Sequence, residues 1–196
     1  MIKVLLLIFD PVATWERIDQ AGRKLAFVLF LYLLPLLVIT LAGEGYGIFQ
    51  WGKEQGVLQQ RTHVQQEVLI TYEVMQLLLS LLVVFIGALL IKAIAVSFHG
   101  RPTYIQVFTA VAYSLGPLFL LRLLDAIPVM NVWVTWIIGA CLSFAVFYSG
   151  LPRILKPDPA HALGLYFLGV LVLLVTSGLG RFVATLLLEQ RMKLPF

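Results

Sequence analysis

A chain of 196 residues that is 61% hydrophobic and 12% charged, with a mean hydropathy of +0.97, would aggregate as a soluble globule. Fourteen Lys and Arg against ten Asp and Glu give a formal net charge of +4. The basic residues flank apolar runs instead of clustering, which excludes a nucleic-acid partner and points to topology and contact with membrane lipids.

Five stretches of 18 or more residues carry no charged side chain: 25–43, 74–91, 102–121, 126–152 and 159–180. A hydrocarbon core about 30 Å thick needs about 20 apolar residues in helical form. Lipid leaves no partner for open backbone, so runs of this length must be helices. The expected fold is all-α: an integral membrane bundle of five transmembrane helices behind a short N-terminal amphipathic helix. The spacing predicts an interfacial segment over 1–24 and a five-span membrane domain over 25–188. Its spans fall at about 25–43, 74–98, 104–124, 130–150 and 162–182, and a short tail occupies 189–196. No remaining segment is long enough for a separate soluble domain.

Along the chain, residues 1–9 hold one Lys and a short apolar run, without the cleavage site of a secretory signal, so they are expected to be retained. Asp10 and Pro11 predict a helix start, with Asp capping the first amides and Pro tolerated at the first position. Val12, Trp15 and Ile18 then share one side, opposite Glu16, Arg17, Asp19 and Gln20. That pattern predicts a helix lying on the membrane with Trp15 at headgroup depth. Arg23 and Lys24 are expected to anchor the first span at the interface, and Pro35 predicts a kink within it.

The long connection over 44–67 opens with Gly43-Glu-Gly-Tyr-Gly47, read as a flexible break. Trp51 suits an interfacial position. Apolar residues recurring from Val57 through Val64, Val68 and Tyr72 predict a second helix that begins outside the bilayer and runs to Phe98. Gly100 and Thr103 bracket a tight turn, Gly ending one helix and Thr capping the next. Gly116 and Pro117 weaken the third span. Arg122 and Asp125, three apart at its exit, are placed to pair on one face. Trp133 and Trp136 mark an interface at the start of the fourth span. A proline-rich loop over 151–159 leads to the fifth.

These features in this order, namely Asp10-Pro-Val-Ala-Thr-Trp-Glu-Arg-Ile18, then Gly100-Arg-Pro-Thr-Tyr-Ile-Gln-Val-Phe108, then Ala112-Tyr-Ser-Leu-Gly-Pro117, resemble the Yip family (Ypt/Rab-GTPase-interacting proteins), in its short prokaryotic branch. The resemblance covers about residues 10–188. It implies five membrane helices, a cytosolic N-terminus and, for eukaryotic relatives, roles in vesicle traffic beside small GTPases. Only about two dozen residues precede the first span here, where those relatives carry a long cytosolic region. A small GTPase partner is therefore not carried over. With the N-terminus, second and fourth loops on one side, eight Lys and Arg face six, which favours a cytoplasmic N-terminus and an opposite C-terminus in a cell membrane.

Charged residues within spans are functional candidates because they are costly there. Glu73 and Gln76 share a face at the start of the second span. Arg181, seven apolar or small residues before Glu189, is either embedded or an anchor, and an embedded Arg181 would take Glu73 as partner. Tyr113 and Ser114 beside Gly116 and Pro117 either build a broken-helix site, as in transporters, or serve helix packing. The lone Cys141 forms no internal disulfide. His63, His99 and His161 fall outside the spans and in no catalytic spacing, so no catalytic residue, metal or cofactor is expected. Two functions remain: a non-enzymatic scaffold or assembly protein of trafficking type, contacting other integral membrane proteins or copies of itself, and a small transporter or channel subunit using Glu73, Arg181 and the Gly116-Pro117 break.

Overall fold

A computed structural model describes residues 2–55, 60–62, 65–127, 129–158 and 160–193, without the side chains of residues 2, 53–55, 60–62 and 189–193. Among them five helices are long and apolar enough to cross a membrane. They are α3 (Leu25–Trp51), α4 (Gln66–Ser97), α5 (Tyr104–Ala126), α6 (Val132–Ile154) and α7 (Ala162–Lys193), preceded by α1 (Ile2–Phe9) and α2 (Pro11–Ala21). The fold is an all-α membrane bundle. A small antiparallel hairpin, β1 (Lys53–Gln55) with β2 (Gln60–Thr62), joins α3 to α4.

Local chemistry explains several boundaries. Asp10 Oδ1 accepts from the Ala13 amide at 3.4 Å and Pro11 opens α2. Thr103 and Gln106 form a reciprocal capping box at the start of α5, with the Thr103 amide donating to Gln106 Oε1 at 2.8 Å. At the end of α4 the left-handed residue is His99, at φ 60°. Gly100 has a different reason to be glycine: a Cβ there would stand 2.9 Å from the Ala95 carbonyl oxygen. Pro35 lies two residues beyond a π-helical turn at Leu29–Leu33. The wider turn accommodates the proline ring and the carbonyl left without a donor.

α5 is the most enclosed span. Its Val107–Ser114 stretch is buried throughout, and α3, α4 and α6 pack against it and its extension. The helix is interrupted at Leu115, and Pro117 takes the second position of the segment that follows. Ser143 of α6 repairs the break, because its Oγ accepts from the Leu118 amide at 3.1 Å.

Three expectations are corrected. The glycines at 43–47 do not break the first span: α3 runs on to Trp51, and Glu44, Gly45 and Gly47 are buried in it. Gly43 and Gly47 are small because α5 passes close, and Gly45 because Glu73 of α4 does. A Cβ on Gly47 would lie 2.5 Å from the Ala126 backbone, the close-approach use of glycine between membrane helices. The second long helix begins at Gln66, not Val57. Residues Gln60–Thr62 are paired as a strand, while Val57, Leu58 and Val64 lie outside the described residues. The first turns of α4 are no bare stalk, since Leu69 and Tyr72 pack with Ile48, Ala184 and Leu188.

The third correction concerns Trp15. It is 0% exposed, its Nε1 donates to the Val146 carbonyl at 3.0 Å, and its ring meets Tyr113 edge-on at 6.2 Å. It packs inside the protein instead of at lipid headgroups. Acidic residues on α2 then fasten the helix to the end of α6 and the loop beyond: Glu16 pairs with Arg153 at 3.8 Å and Asp19 with Lys156 at 3.0 Å. Ahead of it, Val4 and Leu7 of α1 are fully buried in the same core.

Candidate functional site

Four charged side chains from three spans meet at the end of the bundle that carries the β1–β2 hairpin. Glu44 of α3 is 0% exposed. Its Oε1 accepts from Tyr72 Oη at 3.2 Å and from Gln76 Nε2 at 3.0 Å, both on α4. Its Oε2 stands 3.2 Å from Arg122 Nε at the end of α5. Arg181 of α7, also buried, reaches Glu44 Oε1 at 3.8 Å and pairs closely with Asp125 of α5. Thr135 of α6 donates its hydroxyl to Asp125, and Arg122 Nη1 donates to Ser80 Oγ at 2.9 Å. Two carboxylates thus face two guanidiniums, and all five spans supply a member.

The physical logic is neutralisation. A charged side chain alone at the centre of a span costs about 2.5–3.5 kcal/mol or more, and a buried ion is tolerable only with good geometry and further hydrogen bonds. Tyr72, Gln76, Ser80 and Thr135 supply those bonds. Beside the cluster, between α4, α5, α6 and α7, is a cavity of about 40 Å³ whose polar wall includes Ser80, Arg122, Asp125, Thr135 and Arg181. Its volume suits about three waters.

The structure brings Gln76 and Arg181 into this cluster. Glu73 packs against α3, its Oε1 3.0 Å from where a Cβ on Gly45 would be. The expected Glu73–Arg181 pair is corrected, since Arg181 turns to Asp125 and Glu44. Nor do Arg122 and Asp125 primarily serve each other; their close partners are Glu44 and Arg181 respectively. Sequence reasoning missed Glu44, although it lies three residues from Leu41 and four from Ile48, on the buried face of α3.

Tyr113, Ser114, Gly116 and Pro117 are buried near the middle of α5. Tyr113 stacks on Tyr32 with ring centroids 4.0 Å apart, and Lys3 Nζ stands 5.7 Å from its ring centre. A Cβ on Gly116 would overlap the Tyr32 hydroxyl and crowd Val4. Tyr113 and Gly116 thus pack closely against α1 and α3. Of the expected interface residues, Arg23, Lys24, Trp51 and Trp133 are exposed. Trp136 is half-buried over Gly178, meeting Trp133 edge-on at 6.0 Å. Among the described residues no group of three or more His, Cys, Asp or Glu could hold a metal ion.

The family model of the Yip1 domain matches residues 5–180, from α1 to the residue before Arg181. No curated protein and no solved structure matches at a significant level. A match over this much of the chain, on a bundle of five apolar helices, settles kinship: the chain belongs to the Yip1 domain family.

Proposed function

We propose that this protein is a non-enzymatic membrane scaffold or assembly protein of trafficking type, working through helix contacts with other integral membrane proteins or with further copies of itself. The supporting observation is the mutual neutralisation of Glu44, Asp125, Arg122 and Arg181. Charges committed to one another brace the spans, leaving the outward apolar faces of the helices for lipid and partners. The N-terminus is placed in the cytoplasm and the C-terminus across a cell membrane, on the balance of Lys and Arg between the two sides.

The transporter reading draws on the cavity, which has polar groups on one wall and touches four spans. At about 40 Å³ it is far below the roughly 300–1,000 Å³ of sites that enclose organic ligands. The charges on its wall, Arg122, Asp125 and Arg181, are also members of the brace.

Cross-linking in native membranes, followed by purification in mild detergent, is expected to recover a defined membrane-protein partner or a homo-oligomer. Proteoliposomes are expected to show no solute flux above protein-free controls. A strictly monomeric, partnerless protein, or flux abolished by Arg181→Ala, contradicts the scaffold reading.

A further inference from the structure

At the opposite end of the bundle from the ion cluster, besides Arg17, Lys92 and Arg101, stand two groups of cations that differ in their pairing. Arg153 and Lys156 are neutralised by the acidic side of α2. Lys3, Arg23 and Lys24 have no ion-pair partner among the described residues, although Lys3 and Arg23 stand close enough to repel. Burial and then the Arg23 charge lower the affinity of the Lys3 ammonium for its proton. Like charges held together without a counter-charge form a region that attracts an anion.

That region borders a groove of about 530 Å³ where the chain turns from α2 into α3. Gly22 makes the turn at φ 50°, and a Cβ there would meet nothing within 4 Å, so the corner is open. Arg23 and Lys24 form its polar rim; Phe27, Phe30 and Leu31 form its floor. The Arg23 guanidinium lies 4.2 Å from the Phe27 ring centre, a contact that fixes its direction. Phe30 and Leu31 are 62% and 66% exposed at the start of a membrane span, where acyl chains run. The first amides of α3 carry no side-chain cap and add partial positive charge beside the rim.

We propose that this groove binds one anionic glycerophospholipid. Its headgroup phosphate is held by Arg23 and Lys24, with Lys3 adding charge, and an acyl chain lies along Phe30 and Leu31. Cations above an apolar wall match such a lipid from headgroup to tail. A zwitterionic lipid offers the same tail but brings its own cation to the rim. A soluble phosphate leaves the apolar floor unused. The assignment is independent of the scaffold reading.

Native mass spectrometry of the detergent-solubilised protein, with dioctanoyl phosphatidylglycerol and dioctanoyl phosphatidylcholine as probes, tests it. One phosphatidylglycerol should be retained per chain, in clear preference to phosphatidylcholine. A juxtamembrane Lys or Arg contributes enough for about fivefold in affinity. The exposed substitution Lys24→Gln should therefore weaken retention about fivefold, and Lys3→Gln/Arg23→Gln/Lys24→Gln about 100-fold. Arg101→Gln, which removes an exposed cation from the α4–α5 turn, should leave retention unchanged. Equal retention of the two lipids, full retention by Lys24→Gln, or an equal loss in Arg101→Gln overturns the site. Lys24→Gln keeps the test decisive if the triple variant does not fold.

Discussion

Replacing Glu44 with alanine is expected to destabilise the bundle by about 3–5 kcal/mol, the cost of stranding a buried charge whose partner is removed. The carboxylate is fully enclosed and answers Tyr72, Gln76, Arg122 and Arg181 together. Its loss leaves two guanidiniums facing Asp125 alone. The neighbouring cavity of about 40 Å³ admits only a few waters, which replace neither the charge nor the enclosed hydrogen bonds of the carboxylate. The measurement is the unfolding midpoint in mild detergent, with the aggregated fraction after extraction as a second reading. Glu44→Gln should lie between wild type and Glu44→Ala, since the amide still accepts from Tyr72 but carries no charge. An unchanged midpoint in Glu44→Ala would mean that the guanidiniums find other partners.

Trp15→Ala should be comparably damaging, at about 3–5 kcal/mol for deleting a large buried aromatic side chain. The ring fills the space that Gly150 leaves, where any Cβ would overlap it. Its indole also satisfies the Val146 carbonyl. The damage has a location. α2 is held to α6 by this ring and by two polar pairs that are partly open to water, and exposed ion pairs contribute about 0–1 kcal/mol each. Without Trp15, α2 should detach from α6 while α1, held by the buried Val4 and Leu7, and the five spans persist. Limited proteolysis should then cut near Gly22 in the variant and not in the wild type. Trp15→Phe keeps most of the ring and loses the hydrogen bond, so its cost should be about 1–3 kcal/mol.

The two cases show what the sequence conveyed and what it withheld. The five spans were legible because lipid makes an uncharged run of about 20 residues a direct report of structure. The caps at Asp10 and Thr103 were legible because their chemistry is local. Glu44 was not, because three glycines around a carboxylate look like a break when only neighbours along the chain are counted. Those glycines answer Leu123, Glu73 and Ala126, which are distant in sequence. Arg181 was legible as either an embedded charge or an anchor, and its partner was not legible. Hydropathy does not say which helices adjoin, and Asp125 of α5 proved to be the close partner where Glu73 of α4 had been expected. For Trp15 the apolar side of α2 was read correctly and its neighbour wrongly. An apolar face suits lipid and protein alike, and only the small Gly150 opposite it favours protein.

A double-mutant cycle on Glu44→Gln and Arg122→Gln, read as unfolding free energy in one detergent, tests most directly whether the embedded charges exist to brace one another. If they do, the double variant should be more stable than the two single losses together imply, with a coupling of about 1–3 kcal/mol. Strict additivity within about 0.5 kcal/mol would contradict the brace, and with it the reading of this end of the bundle as structural.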